Sequence, residues 1–216
     1  MPYNQTNKIY SQIKEKILNG EFKPSQSLIE MDLVKQFNSS RVTIKKALLM
    51  LKSENLIELP ENKSARVRSF NIGEVIQFLD ARILLEGYCA TITAPVIDRD
   101  SLIAMEGFLE QMKMKYKASN IMEYSETNVR FHKCVYDACP NRVVVDMIWE
   151  IRNKISRYGF KTVLVPGRVD SSYIEHVNML EAYKAHDAQR AYDSTVLHIS
   201  NLKKTLNENY QLLFSL

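Results

Sequence analysis

Apolar positions recur at helical spacing in short segments at the beginning of the chain. Isoleucines at every fourth position predict a first helix over residues 4–19, which Asn19-Gly20 ends because both residues tolerate the left-handed conformation. The run Ser27-Leu28-Ile29-Glu30 has the pattern of a capping box, so we expect a short second helix to begin there. Asn38-Ser39-Ser40 interrupts the pattern and supplies an N-cap for a third helix over residues 41–54. The apolar positions that these patterns predict to be buried are Ile9, Ile13, Ile17, Ile44, Ala47, Leu48 and Leu51.

Two short extended segments follow the third helix. Residues 56–59 and 65–68 flank a polar turn, which is the pattern of a β-hairpin. Alternation along the second segment places Arg66 and Arg68 on the same face. Three short helices followed by a basic hairpin predict a winged helix-turn-helix domain over residues 1–70.

From residue 71 onward the pattern is helical throughout. It predicts six helices, near residues 71–93, 99–118, 120–138, 142–160, 168–186 and 187–213. The breaks between them fall at Pro95, residues 117–120, Pro140-Asn141, Pro166-Gly167 and His186-Asp187. Helices of this length can form an independent bundle. The predicted fold is therefore mainly α, a winged helix-turn-helix followed by an antiparallel bundle of about six helices over residues 71–216.

The composition excludes several classes of protein. Hydrophobic residues make up 45% of the chain and charged residues 25%, which is ordinary for a globular protein. No apolar run approaches the roughly 20 residues that span a bilayer, and residues 1–5 lack the apolar stretch of a secretory signal. We therefore expect a cytoplasmic protein without a membrane partner. Cys89, Cys134 and Cys139 are odd in number and lack metal-knuckle spacing, which favours buried, reduced thiols.

The net charge of +4 is unevenly distributed. Residues 1–70 contain 12 lysines and arginines against 7 aspartates and glutamates, whereas the remaining residues are close to neutral. A basic N-terminal domain on a neutral body indicates a polyanionic partner, although a solvated charged surface would give the same balance.

Basic residues at the start of the third helix are the candidates for DNA contact. In a helix-turn-helix, this helix lies in the major groove and its N-terminal residues reach base edges. Arg41 and Lys45 share an outward face one turn apart, and Thr43 and Lys46 lie beside them. Arginine can bind guanine in a bidentate manner, lysine can reach guanine or phosphate, and threonine can contact a thymine methyl. Arg66 of the hairpin can reach the adjacent backbone or minor groove. The alternative is a small helical domain whose helix is basic for no functional reason.

A single helix-turn-helix covers only a few base pairs. Useful specificity then needs two half-sites about one helical turn apart. We therefore expect a homodimer that binds an inverted repeat in a double-stranded DNA operator.

Several motifs follow one another at fixed spacing in this N-terminal part. They are Gly20-Glu21-Phe22-Lys23-Pro24-Ser25, Leu28, Leu33-Val34, Ser40-Arg41 with Ala47-Leu48, and Leu51 with Leu56-Ile57. Their order resembles the DNA-binding domain of the GntR family of bacterial regulators over nearly all of residues 6–70. The resemblance implies that Arg41 is the DNA-contacting arginine and that Lys45 stands where a second one is usual. Met31 replaces a frequent arginine, and the hairpin lacks its usual glycine, so the operator sequence is expected to be unusual.

Three of the four histidines are candidates for a metal site. Asn128 and His132 lie at i, i+4 on one predicted helix, and His176 and His198 lie on the two last helices. Three imidazoles and an amide oxygen can hold a divalent metal and leave positions for water or an acid. From spacing alone, core or surface histidines are the more frequent explanation.

The C-terminal motifs resemble the FCD ligand-binding domain of the FadR-type GntR regulators over roughly residues 72–210. The matching segments are Arg82 to Glu86, Asn128 to His132, Asn141, Glu175-His176 to Ala182, and His198. In that family an aspartate and three histidines bind a metal that helps to hold a carboxylate effector. Here Asn128 stands in place of the aspartate, which keeps an oxygen ligand but loses a negative charge. The resemblance implies a divalent metal (zinc, nickel or manganese) at Asn128, His132, His176 and His198, whereas His186 matches no ligand position.

Arg82 is the candidate for binding the effector, because guanidinium and carboxylate groups pair in a bidentate manner. An ion pair with Glu86, one turn later, is the alternative role for this arginine. Organic or sugar acids are the effectors that the resemblance implies.

We therefore expect a transcriptional regulator, by default a repressor, whose DNA binding is modulated by a small organic acid. One alternative is a DNA-binding regulator whose helical domain only dimerises, without metal or ligand. Another is a metal-dependent hydrolase, since a three-histidine site with open positions also serves hydrolysis. Neither a general base nor a nucleophile accompanies the histidines in the sequence, so we do not expect an enzyme.

Overall fold

A computed structural model describes residues 2–18, 20–61, 63–117 and 120–214. The chain divides into two units, Met1–Asn71 and Ile72–Leu216, and each has its own apolar core. Parts of three expected features lie outside the described residues: Asn19 at the end of the first helix, Asn62 in the hairpin turn, and residues 118–119 at a helix break.

The first unit is the predicted winged helix-turn-helix. Its elements are α1 (Pro2–Leu18), β1 (Ser27–Leu28), α2 (Glu30–Gln36), α3 (Arg41–Ser53), β2 (Ile57–Glu58) and β3 (Ala65–Val67). Both β1 and β2 pair antiparallel with the central strand β3, with Ser27 opposite Arg66 and Ile57 opposite Val67. The seven apolar residues that the helical patterns predicted to be buried are all in the core.

Helix α3 begins where the sequence predicts. The hydroxyl of Ser40 accepts a hydrogen bond from the Thr43 amide at 3.1 Å, so the predicted N-cap is confirmed. An N-cap of this kind satisfies one of the amides that a helix leaves unpaired in its first turn.

The predicted capping box before α2 is wrong. Ser27 and Leu28 form strand β1, and α2 begins at Glu30 after Ile29, which makes no side-chain capping bond. The sheet takes these residues because Leu28 is buried in the core and their backbone pairs with β3. The neighbouring Ser25 has a φ of 62°, in the left-handed region.

The second unit contains the six predicted helices, each within a few residues of its expected bounds. They are α4 (Ile72–Thr93), α5 (Arg99–Lys117), α6 (Ile121–Ala138), α7 (Arg142–Lys161), α8 (Arg168–Lys184) and α9 (Ala188–Phe214). A short 3-10 turn, Thr162–Leu164, which we did not predict, joins α7 to α8. Among the described residues, no helix combines the length and apolarity that crossing a membrane requires.

Helices α6 and α9 contact α4 in this unit, and α8 packs on α9. Helix α4 packs along α9 and α7, whereas α5 packs on α6 and α8. Gly87 permits the close approach of α4 to α9, since a Cβ there would lie 2.8 Å from the Tyr192 ring. Cys89 and Cys139 are buried free thiols, as expected, and Cys134 is half-buried. This packing places the middle of α6, α8 and α9 in the interior, where the three candidate histidines lie.

Candidate DNA-binding surface and metal centre

The predicted DNA-contacting side chains lie on the surface of the first unit. Arg41, Lys45 and Lys46 are exposed on α3, and Arg66 is exposed on β3. Exposed basic groups on a helix that follows a helix-turn are suited to contact phosphates and base edges. Thr43 differs, because it is half-buried and its hydroxyl lies 2.8 Å from the Ser40 hydroxyl within the N-cap.

Arg41 is held by the preceding helix. Its Nε donates to the Glu30 carboxylate at 2.8 Å, although its side chain is 73% exposed. Such an exposed pair contributes little stability. It does restrict the directions in which the Arg41 guanidinium points from the start of α3.

The structure brings the three candidate histidines together. His132 on α6, His176 on α8 and His198 on α9 are 3%, 0% and 5% exposed. Their ring nitrogens lie within 4.8 Å of one another, and the two Nε2 atoms of His132 and His176 are 3.2 Å apart. Three imidazole nitrogens converging on one point are a donor set that suits zinc or nickel.

Outer hydrogen bonds fix the orientation of two of these rings. The Nδ1 of His176 donates to the Ser172 carbonyl at 2.5 Å, because a carbonyl oxygen can only accept. The Nδ1 of His198 donates to Glu175 Oε2 at 2.7 Å. With the proton on Nδ1, each ring presents its Nε2 lone pair to the cluster, as ligating histidines do.

The protonation state of the three rings suits metal binding. Burial lowers the pKa of all three imidazoles, and Arg152 lowers the pKa of His132 further. The rings are therefore neutral near pH 7, and neutral imidazole is the form that binds metal. Burial alone would raise the pKa of Glu175, but the bond from His198 and the nearby Arg168 lower it, so this carboxylate is charged.

Asn128 is half-buried on α6, one turn before His132. A spacing of four residues places both side chains on the same face of the helix. The three imidazoles form a donor set that fits a divalent metal. The neutral amide of Asn128 lacks the negative charge that an aspartate at this position would supply.

Arg82 is already paired with Glu86. Its Nε donates to Glu86 Oε1 at 2.5 Å, and both side chains are buried. The other oxygen of Glu86 accepts from the Tyr136 hydroxyl at 2.7 Å and from Arg152 at 3.4 Å. Burial would raise the pKa of Glu86, but Arg82 and Arg152 outweigh it and hold the pKa at about 2. The ion pair that was the alternative role for Arg82 is therefore present.

A small cavity lies between this charged cluster and His132. Its volume is about 10 Å³, which is room for about one water molecule. The lining residues are Glu86, His132, Val135, Tyr136, Met179, Tyr183 and Thr195. A larger groove of about 260 Å³ between α8 and α9 reaches Glu175 but none of the three histidines. An organic acid beside the histidines would therefore require side chains around the small cavity to move.

Several residues of the site were not predicted from the sequence. Arg152 and Tyr136 bond to each other within the charged cluster, and the Ser172 carbonyl accepts from His176. Arg168 pairs with Glu175 two helical turns later. The spacing of Ser172 and His176 at i, i+4 was a usable local signal. The approach of Arg152 to Glu86 joins distant segments, so no local pattern indicates it.

Comparisons with known proteins agree for both units. Residues 77–201 match the family described as FCD domain, and residues 5–67 match the family described as bacterial regulatory proteins, gntR family. The chain is 24% identical to the HTH-type transcriptional regulator YdhC of Bacillus subtilis, over 92% of this chain and 91% of that protein. It is 23% identical to the gluconate operon transcriptional repressor of Bacillus subtilis, over 91% of this chain and 80% of that protein. The solved structure of E. coli McbR/YncC is similar in fold, with a TM-score of 0.82 at 17% identity over 95% of this chain and 98% of that one.

Proposed function

Because this chain belongs to the GntR family of bacterial regulatory proteins and carries an FCD domain, we propose that it is a repressor controlled by a small carboxylate and a divalent metal. Its general function, DNA-binding transcriptional regulation, follows from the family and from the regulators that it resembles. The same membership rejects the hydrolase alternative. The observation that carries the proposal for the helical domain is the convergence of three buried histidines from three helices.

We propose that the DNA contacts come from Arg41, Lys45 and Lys46 on α3 and from Arg66 on β3. Their exposure and their basic charge support this assignment. Thr43 was expected to contact a base as well, and the hydroxyl contact with Ser40 limits that role to its methyl group. A homodimer on an inverted repeat would combine two such surfaces, because one covers too few base pairs for specificity.

Arg41→Ala should weaken operator binding by about 1–3 kcal/mol and relax the base preference at one position, because a bidentate base contact is lost. Arg66→Ala should weaken binding more evenly across sequences. It should also reduce the slope of log affinity against log salt concentration by about one, as expected for the loss of one phosphate contact. Gel shifts at several salt concentrations, on full sites and single half-sites, measure both effects.

Lys52→Ala is the control, since Lys52 is exposed at the far end of α3. It should bind like the wild type. If Arg41→Ala and Arg66→Ala also bound like the wild type, the assigned surface would be wrong. Equal affinity for half-sites and full sites would argue against the homodimer.

We propose that His132, His176 and His198 hold the metal, with Asn128 as a fourth ligand through its amide oxygen. The outer bonds of His176 and His198 and the neutral state of the rings support this role. A divalent ion bound there would act as a Lewis acid that attracts an oxyanion. Zinc, nickel and manganese are the candidate ions, and zinc or nickel suits the nitrogen donors best.

The effector would bind between the metal ligands and the charged cluster. Arg82 and Arg152 together carry one positive charge more than Glu86 neutralises, which favours an anionic ligand. Since the cavity is small, binding would require α4, α6, α8 and α9 to repack around it. Repacking of this kind is a means by which effector binding can be coupled to DNA affinity.

Asn128→Asp should tighten metal binding by about tenfold or more, because ligand charge tunes the affinity for a hard cation over orders of magnitude. Asn207→Asp adds the same charge at an exposed position of α9 and should leave the affinity unchanged. Calorimetric titration of both variants with nickel and manganese measures the difference. An unchanged affinity in Asn128→Asp would remove residue 128 from the ligand set.

The second candidate function is a dimerisation domain without metal or ligand. It is favoured by the small volume of the cavity and by the satisfied Arg82–Glu86 pair. Thermal unfolding of chelator-treated protein with and without zinc, nickel or manganese distinguishes the two. A rise in Tm with metal supports the ligand-binding domain, and no rise with any of the three supports the dimerisation domain.

A further inference from the structure

The buried carboxylate of Glu175 accepts four hydrogen bonds from three residues. Its carboxylate is 6% exposed and accepts from His198 Nδ1 at 2.7 Å, from Asn201 Nδ2 at 2.9 Å, and from two nitrogens of Arg168 at 3.0 and 3.2 Å. We infer that Glu175 is a positioning residue that orients His198 for metal binding. This inference rests on the proposed metal site.

The geometry of these hydrogen bonds lets Glu175 orient the His198 ring. Arg168 and Asn201 hold the carboxylate from two other directions, so Glu175 Oε2 presents a fixed acceptor to His198. That bond keeps the proton on Nδ1 and turns Nε2 toward the cluster. His176 is oriented differently, by the backbone carbonyl of Ser172, which no side-chain replacement removes.

The distribution of charge around the proposed metal site also supports this role for Glu175. The three imidazoles and the Asn128 amide are neutral donors, so none of these four groups compensates the charge of a divalent cation. Glu175 places a carboxylate directly behind one of the rings. A carboxylate that accepts from the far nitrogen of a ligating histidine makes the imidazole a stronger donor. Because Arg168 pairs with the same carboxylate, Glu175 acts on the metal site through its hydrogen bond to His198.

The test measures metal affinity of the full chain. Glu175→Gln should weaken Ni²⁺ binding about 10–100-fold in a calorimetric titration, the usual cost of losing an outer partner of a ligand. With Co²⁺ as a probe, the visible absorption spectrum of the variant should differ from that of the wild type, because the orientation of His198 changes. The control is Glu181→Gln on the same helix, where the carboxylate is 53% exposed and pairs with Lys184. It should leave the affinity and the spectrum unchanged.

A purely structural role for Glu175 predicts a different result. The metal-free variant would then unfold at a lower temperature, but its Ni²⁺ affinity and Co²⁺ spectrum would match those of the wild type, and the inference would be overturned. Because Glu175→Gln leaves Arg168 without its partner, Arg168→Gln/Glu175→Gln removes both buried charges and provides the same affinity test if the single variant does not fold. If the wild type itself bound no Ni²⁺, Zn²⁺ or Mn²⁺, the proposed metal site would fail and this inference with it. Binding by the wild type with equal binding by the glutamine variants would overturn the inference about Glu175 alone.

Discussion

Replacing His176 with alanine should eliminate the stabilisation of this protein by divalent metal. His176 is fully buried between His132 and His198, so its loss would remove the central one of the three proposed ligands. At a free metal concentration 100 times the wild-type Kd, metal binding should stabilise the wild type by about 2.7 kcal/mol. The loss of affinity should exceed the 10–100-fold that an outer partner costs. Thermal unfolding with and without Ni²⁺ measures the effect.

His186→Asn is the matched control for this prediction. His186 is exposed after α8, has a φ of 50°, lies with Nδ1 2.8 Å from the Ala94 carbonyl, and is not one of the three clustered histidines. Asparagine tolerates the same left-handed conformation, so the replacement does not strain the turn. The control should keep the full metal-dependent rise in Tm. A similar rise in His176→Ala would show that the metal binds elsewhere.

Replacing Glu86 with glutamine should destabilise the helical domain by about 3–5 kcal/mol, since it leaves buried arginine charge without a counter-ion. Glu86 is 2% exposed and is the carboxylate to which Arg82 and Arg152 both bond. Glu150→Gln on α7 is the control, because its carboxylate is 64% exposed and pairs with Lys154 one turn later. That variant should stay within about 0.5 kcal/mol of the wild type. Chemical denaturation at pH 7 measures both differences.

The pH dependence of the same pair provides a second readout. The folded-state pKa of Glu86 is about 2, below its usual value of 4.5. A carboxyl group whose pKa is lowered by folding stabilises the protein above its unfolded pKa, and that contribution is lost as the pH falls through the folded pKa. The difference in unfolding free energy between the wild type and Glu86→Gln should therefore shrink from about pH 4.5 downward. A difference that stayed constant over this range would contradict the role of the Glu86 charge.

Much of the fold follows from local sequence patterns. The spacing of Ile9, Ile13 and Ile17 and the Ser40 cap predict α1 and α3 correctly, since both depend on neighbours within one helical turn. The predicted capping box at Ser27 is wrong because a long-range contact decides the structure there. Its residues pair with β3, nearly 40 positions later, and that pairing outweighs the local preference.

The candidate site shows the same division. The sequence pattern and the family resemblance select His132, His176 and His198, and the packing of three helices brings them together. For Arg82 the sequence allowed two roles, effector binding and an ion pair with Glu86. The i, i+4 spacing indicates the ion pair, which is present, but it does not show whether that pair persists when an effector binds. The contact of Arg152 with Glu86 depends on how α7 packs on α4, which no local pattern contains.

The most direct test of this account is the metal content of the wild-type protein. Full-length protein stripped with a chelator would be titrated with Zn²⁺, Ni²⁺ and Mn²⁺ by calorimetry, and the bound metal would be counted by elemental analysis after gel filtration. The three converging imidazoles predict one divalent ion per chain, with the tightest binding for zinc or nickel. No uptake of any of the three ions would contradict the proposed metal centre and leave the helical domain as a dimerisation module.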